Sequence, residues 1–475
     1  MSHVNRLSVT KASRNVLAID LGAESGRVVL CRWTGGRGTQ REIHRFPNGA
    51  REENGHLLWD LEFLWDEILR GVSLAGRETQ GCIDSLGIDG WGVDYVLLDG
   101  LGNRIGNAYC YRDGRNLPQM ERAFSIVPKG RIYEITGIQF MPINTLYQLL
   151  AHIQEFPQEW EGAAFWLNLP EYFLFRLSGV AVAEYTNATT TQMLDLSSNS
   201  WSKELTGTLG LNLDKFPPIV PPGTVLGGLR SEIAKKLDLS QVKVIAPACH
   251  DTGSAVAGIP FPHDHLAFVS SGTWCLVGTV LPDPVVSDQA QQLNFTNEGG
   301  VGNSIRFLKN VIGLWLLQQC IAEWKSQGHE MTAARLAEEC GEISMDGPYF
   351  NVASETFLAP GRMVDRINAG LAQEGFSEEQ RPVNLADIIF RSLARRYADV
   401  IEEIRKITGK TLETVCIVGG GAKNEALNAL TGKFTRLAVV KGPSEAAAVG
   451  NAAVQIAALE NASLEQIEEI AKQIG

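Results

Sequence analysis

Val16 to Leu21 is a short apolar run ending in Asp-Leu-Gly, a polar turn runs from Ala23 to Gly26, and a second apolar run covers Val28 to Trp33. Two apolar runs joined by a short turn predict a β-hairpin. Glu42 to Phe46 predicts a third strand. The period then changes, with Leu61, Leu64, Ile68 and Val72 spaced along one helical face between Leu61 and Leu74. Ile83–Ile88 and Val93–Leu98 return to strand character. This order predicts a mixed sheet with helical cover, an α/β fold.

The second half repeats the order weakly. Leu266–Ser270 and Cys275–Val280 predict two strands around the turn Ser271-Gly272-Thr273. Leu385, Ile388, Ile389, Leu393, Tyr397, Val400, Ile401 and Ile404 trace one face of a long helix that Gly409 stops. Strand Val415–Val418, the triplet Gly419-Gly420-Gly421 and a helix from about Asn424 follow. Two related α/β domains facing each other across a cleft are the expected architecture. Pro260 and Pro262 interrupt a helical stretch and put the boundary near residues 257–265. The expected bounds are 15–258, 264–457 and a C-terminal helix over 458–475, which Ser463-Leu-Glu-Gln466 would open as a capping box. The proline-rich stretch 216–223 reads as a surface loop of the first domain.

Composition narrows the function. The chain has 475 residues, enough for two to four domains of ordinary size, with 44% apolar and 20% charged residues. Its 42 basic and 54 acidic residues leave a net charge of −12. That charge repels polyphosphate backbones and argues against nucleic acid and anionic membranes as partners. No apolar run approaches the roughly 18 residues that span a bilayer, and the opening MSHVNRLSVTKASRN has no apolar signal core. The expectation is a cytoplasmic protein, monomer or homodimer, with a small-molecule ligand. The eight cysteines are scattered without a C-x-x-C pair and read as reduced packing residues. His263 and His265 flank Asp264 as a polar turn opening a strand, and no structural metal is expected.

No G-x-x-x-x-G-K-[ST] run exists, and G-x-G-x-x-G does not follow the first strand, so neither a P-loop nor a dinucleotide fold is favoured. Hairpin turns can surround an anion with backbone N–H groups instead. Asp20-Leu-Gly-Ala-Glu-Ser-Gly-Arg27 and Ser270-Ser-Gly-Thr-Trp274 are the candidates, with the glycine triplet at 419–421 able to take a flat base against bare backbone. The plainer reading of each turn is glycine at φ > 0 with local hydrogen bonds. Asp20, at a strand end facing the first turn, suits a magnesium ion held mostly through water, or else bonds its own turn.

His250-Asp251-Thr252-Gly253-Ser254 admits three readings. Asp-Thr-Gly-Ser is the local signature of an aspartic protease, but that chemistry needs a second such triplet, which is missing. Asp251 as base for a substrate hydroxyl is the second reading. Asp251 as helix N-cap is the third and is compatible with the second.

Taken together, the motifs identify the chain as resembling the FGGY carbohydrate kinases from about residue 15 to 455. They are Asp-Leu-Gly-Ala-Glu-Ser-Gly-Arg (20–27), Gly-Ile-Asp-Gly-Trp-Gly-Val-Asp (87–94), Tyr-Arg-Asp-Gly-Arg (111–115), Glu-Tyr-Thr-Asn-Ala-Thr-Thr-Thr (184–191) and His-Asp-Thr (250–252). Ser-Ser-Gly-Thr-Trp (270–274), Asn-Glu-Gly-Gly (297–300), Leu-Lys-Asn-Val-Ile-Gly-Leu-Trp-Leu-Leu-Gln (308–318) and Val-Gly-Gly-Gly-Ala-Lys-Asn (418–424) continue the series. The resemblance implies two actin-like ATPase (ribonuclease-H-like) domains. It also implies transfer of the ATP γ-phosphoryl group to a ketose, the 1-hydroxyl of L-rhamnulose, with Mg2+. L-fuculose, L-ribulose, D-xylulose and glycerol are the sister acceptors, and a non-catalytic sugar sensor is the rival on the same scaffold.

Carried over residue by residue, Ala23, Glu24, Ser25, Gly26, Arg27 and Thr273 hold phosphates, and Gln318 and Gly420 contact the nucleotide, with Asn424 near the base. Gly92, His250, Asp251, Thr252 and Asn310 line the sugar site, and Asp251 accepts the hydroxyl proton. Three residues depart from the family pattern: Glu24, Gly90 and Gly253. A carboxylate about 5 Å from phosphate costs roughly 3 kcal/mol at an effective dielectric of 20, so Glu24 is expected to point outward.

Overall fold

A computed structural model describes residues 13–342, 344–358, 360–463 and 465–474. The opening segment 1–12, inspected above for a signal sequence, lies outside them. Strand Arg14–Leu21 is buried on both faces from Val16 onward, which is why it reads as a continuous apolar run. It pairs antiparallel with Ser25–Thr34, confirming the hairpin, and Arg37–Pro47 adds the edge strand. On its other side it pairs parallel with Ser85–Gly90, which pairs parallel with Lys243–Ala246; Thr224–Gly228 closes the six-stranded sheet. Helix Leu61–Glu78 covers one face, its N-cap Asp60 accepting the Phe63 N–H at 3.0 Å. Leu61, Leu64, Ile68, Val72 and Ala75 are its buried stripe.

One expected strand leaves this sheet. Tyr95–Leu98 pairs with Phe165–Asn168 and Arg104–Ile105 in a separate three-stranded sheet. The cause is the turn before it, where Val93 is held at φ 71°.

The second unit repeats the first. Its sheet runs Thr296–Gly299, Ile305–Ile312, Trp274–Leu281, Leu266–Ser271, Thr414–Val418, Ala438–Lys441. Again a hairpin lies beside parallel strands, here Thr414–Val418 against Leu266–Ser271. Helix Pro382–Thr408 buries the predicted face and ends at Gly409, whose φ of 68° supplies the left-handed cap.

The chain divides after Pro260, and the units are not two continuous halves. Gly299–Ser304 and the chain from Ala447 onward cluster with the first unit. Ala446–Glu460 is one helix, and Glu465–Ile474 is the last. Ala448, Val449, Ala452, Ala453 and Ile456 of the former pack with Val16, Ala18, Val29, Cys31 and Trp33 of the hairpin. Half of the expected capping box is present, as the Ser463 N–H donates to Gln466 Oε1 at 2.7 Å.

Candidate functional site

Three parallel strands of the first unit lie side by side; the first two each carry a carboxylate near the carboxyl end, and Asp251 comes after the third. Asp20 and Asp89 are register partners on Arg14–Leu21 and Ser85–Gly90. Past Lys243–Ala246 the chain stays in line, with the Gly90 N–H donating to Cys249 O at 2.9 Å and a further bridge pairing Gly90 with His250. Asp251 follows. In α/β sheets, ligands bind at the carboxyl ends of the strands.

Asp251 is the first residue of helix Asp251–Ala257, and His250 rather than Asp251 occupies the N-cap, which revises the capping reading by one position. Asp251 Oδ1 accepts the Thr252 N–H at 2.6 Å and lies 3.4 Å from His250 Nε2. A third of the side chain stays exposed, so the carboxylate is reachable. His250 and Thr252 are buried behind it.

Asp89 is the residue that sequence reasoning left without a role. It is fully buried, Oδ2 accepts the Asn451 amide at 2.6 Å, and Oδ1 has no hydrogen-bond partner among the described residues. Burial, then repulsion from Asp20, raises its carboxyl well above the ordinary range, against the Asn451 bond; Asp251 adds to the repulsion. Its signal was available, since it stands inside the quoted motif 87–94 on the strand beside Asp20. Asn451 had none.

Gly92 sits where a Cβ would meet Thr190 Oγ1 at 3.1 Å, Asn187 Oδ1 at 3.3 Å and His250 Cδ2 at 3.4 Å. The motif at 184–191 therefore shares the Gly92–His250 neighbourhood. Val93, β-branched at positive φ, is strained, and its carbonyl is held by Thr145 Oγ1 at 2.7 Å and Gln148 Nε2 at 3.2 Å. Trp91, left open by the sequence, packs on Trp59, with ring centres 4.4 Å apart, and both indoles donate to Asp94 Oδ2. Gly90 is explained by space, because a Cβ there would lie 3.0 Å from Leu21 O.

Ala23 to Arg27 form the turn and start of the second hairpin strand. Glu24 is exposed, as its charge requires, and its carbonyl accepts the Asn48 N–H at 2.8 Å. Ser25 O accepts the Gly22 N–H at 3.1 Å. Gly26 does not need φ > 0. A Cβ there would stand 2.3 Å from the Phe46 ring, so glycine serves close packing. Arg27 Nε lies 3.5 Å from Asp20 Oδ2, joining the turn to the strand ends.

In the second unit the carbonyls of Gly272 and Thr273 accept the N–H groups of Leu314 and Gly313, at 3.0 and 3.1 Å, and Thr273 O also takes Trp315 N–H. These residues open helix Trp315–Ser326, which carries Gln318. The glycine triplet lies against the same strand end, since Gly419 has φ 81° and a Cβ at Gly421 would overlap Ser271 Oγ. Thr273, Gln318 and Gly420 thus sit on segments joined around one turn, and nothing lies within 4 Å of the Cβ position at Gly420. Asn424 is the N-cap of helix Glu425–Thr435, accepting the Leu427 N–H at 3.0 Å, which accounts for its side chain. Asn310, expected at the sugar site, is a mid-strand residue of the second unit's sheet, paired with Leu276.

Comparison with known proteins identifies the family. The N-terminal domain of the FGGY family of carbohydrate kinases matches residues 15–258, and its C-terminal domain matches residues 267–459. Rhamnulokinase of Oceanobacillus iheyensis is 39% identical over 457 residues, covering 96% of each chain. Rhamnulokinase of Bacillus subtilis is 38% identical over 459 residues, 96% of this chain and 93% of that one. Among solved structures, xylulose kinase from Lactobacillus acidophilus superimposes with a TM-score of 0.79 at 17% identity, over 97% of this chain and 92% of the other. Plasmodium falciparum glycerol kinase with ADP gives 0.76 at 15% identity, over 98% and 93%. At such identities the superpositions establish the fold alone.

Proposed function

The chain belongs to the FGGY family of carbohydrate kinases, and from that premise we propose that it transfers the γ-phosphoryl group of ATP to the 1-hydroxyl of L-rhamnulose. A sugar kinase uses ATP as co-substrate, so the products are the sugar 1-phosphate and ADP. The observation that supports the chemistry is the placement of Asp251, reachable at the carboxyl end of a sheet, in a chain similar along 96% of its length to rhamnulokinases. Phosphoryl transfer has a loose transition state and asks the protein mainly for alignment and charge stabilisation. Asp251 takes the proton of the attacking hydroxyl, and His250 and Thr252 fix its orientation. Gly92, beside His250, lines the sugar site.

The turn segments carrying Ala23–Arg27, Thr273 and Gly420 offer backbone N–H groups to the phosphates, with Gln318 on the nucleotide side. Asp20, at the strand end beside Asp89, would hold Mg2+ through its waters. The ion would supply charge neutralisation at the phosphates. We place this carbohydrate kinase in the cytoplasm, as monomer or homodimer; among the described residues no helix is long and apolar enough to cross a membrane.

Sugar-dependent ADP release over L-rhamnulose, L-fuculose, L-ribulose, D-xylulose and glycerol tests the reading. L-rhamnulose is expected to give the highest kcat/KM. A higher value with another sugar would reassign the substrate, and none with any would favour a sensor.

A further inference from the structure

The motif Glu184 to Thr191 has no role in the chemistry above, yet it is buried almost throughout and reaches the main chain that carries Asp251. Glu184 caps helix Tyr185–Thr190, and Oε1 alone does that work, accepting the Thr186 N–H at 2.9 Å. Oε2 is turned elsewhere. It accepts the Cys249 N–H at 2.7 Å and the Thr186 hydroxyl at 2.5 Å. That hydroxyl in turn accepts the His250 N–H at 3.2 Å. The two amides immediately before Asp251 are therefore gripped by one carboxylate and one hydroxyl.

The grip is itself braced. Glu171 Oε1 accepts the Glu184 N–H at 3.1 Å, and Glu171 Oε2 accepts the Asn187 amide at 2.9 Å. Gly299 donates its N–H to Thr189 Oγ1 at 2.9 Å. Thr186 also faces Gly253, where a Cβ would stand 3.2 Å from both its Cβ and its hydroxyl. The glycine that departs from the family pattern leaves this hydroxyl its room.

We propose that Glu184 and Thr186 are positioning residues for the transfer reaction, setting the Cys249–His250 main chain so that the Asp251 carboxylate meets the sugar hydroxyl. This rests on the reading of Asp251 as the proton acceptor. A carboxylate is needed, because a glutamine at 184 keeps one acceptor oxygen and turns an NH2 toward an N–H donor. Alignment of a base is steep in distance, a displacement of about 1 Å costing on the order of a hundredfold in rate.

The test compares Thr186→Val, which keeps the shape and removes the hydroxyl, with Thr186→Ser, which keeps the hydroxyl. Thr186→Val is expected to lower kcat with L-rhamnulose by about thirtyfold or more while KM for ATP stays within about twofold, and Thr186→Ser to recover most of the loss. Glu184→Gln is read the same way. Retention of kcat in Thr186→Val, or equal losses in the valine and serine variants, would overturn the proposal. So would failure of both Thr186→Val and Glu184→Gln to fold, since the network would then serve the fold alone. An active Asp251→Asn marks failure of the site reading. An active Thr186→Val beside an inactive Asp251→Asn marks failure of this inference.

Discussion

Asp20 and Asp89 stand opposite one another on adjacent parallel strands, so two carboxylates share one strand end of the first unit. Arg27 lies beside Asp20, and Asn451 donates to Asp89. Asp89 Oδ1 is buried with no partner among the described residues, a state that costs stability unless the group is protonated.

Asp89→Asn follows from this. A carboxyl raised in the folded chain contributes stability that is full below its unfolded value, about 3.9, and is lost as pH rises through the folded value. Burial and Asp20 place Asp89 in that class. In EDTA, Asp89→Asn is expected to melt above the native chain at pH 8, with a smaller difference at pH 5. A constant difference would exclude a raised Asp89.

Asp251→Asn should leave sugar and ATP affinities within about threefold by calorimetry while lowering kcat at least about a hundredfold, a usual minimum for a general base. Near-native turnover would remove Asp251 from the chemistry.

The sequence made the hairpins, the long helix and the glycine turns legible because each is written locally, as a change of period or a Gly beside a strand. It also put Asp20 at a strand end and the two glycine-bearing turns between strands. What it could not show is which core an apolar helix joins. The alanine-rich pattern around Ala448 and Ala452 would suit either unit, and only the fold puts it on Val16 and Cys31. Tyr95–Leu98 looked like one more strand of the first sheet because its alternation is silent on the Val93 turn before it. Glu184 and Asn451 act through partners 65 and 362 residues away, separations that no periodicity encodes.

Glu171 gives a second pH signature. Burial, reinforced by the charge of Glu184, pushes its carboxyl from 4.5 up to about 8, against the Asn187 bond. The sign is that of Asp89, so this part of the stability is complete below about 4.5 and drains away as pH rises toward 8. Denaturant melts between pH 5 and 8.5 should show a shallower decline for Glu171→Gln than for the native chain. An unchanged slope would contradict a raised Glu171.

Gly450→Ala tests whether the helix Ala446–Glu460 sets the acid as well as the fold. A Cβ at Gly450 would stand 1.8 Å from Ser254 O and 2.7 Å from the Gly258 N, both main-chain atoms that cannot rotate aside. Ser254 belongs to the helix whose first residue is Asp251, so the added methyl must push that helix or its own. Overpacking of this kind costs about 1 to 3 kcal/mol. Gly207→Ala, at a helical position with nothing within 4 Å, is the control and should be neutral or slightly stabilising. If the helices are coupled, Gly450→Ala loses kcat by about tenfold or more even well below its melting temperature, because the displacement reaches Asp251. A variant that is merely less stable, with native kcat in the cold, would show that the contact holds the fold and leaves the carboxylate where it was.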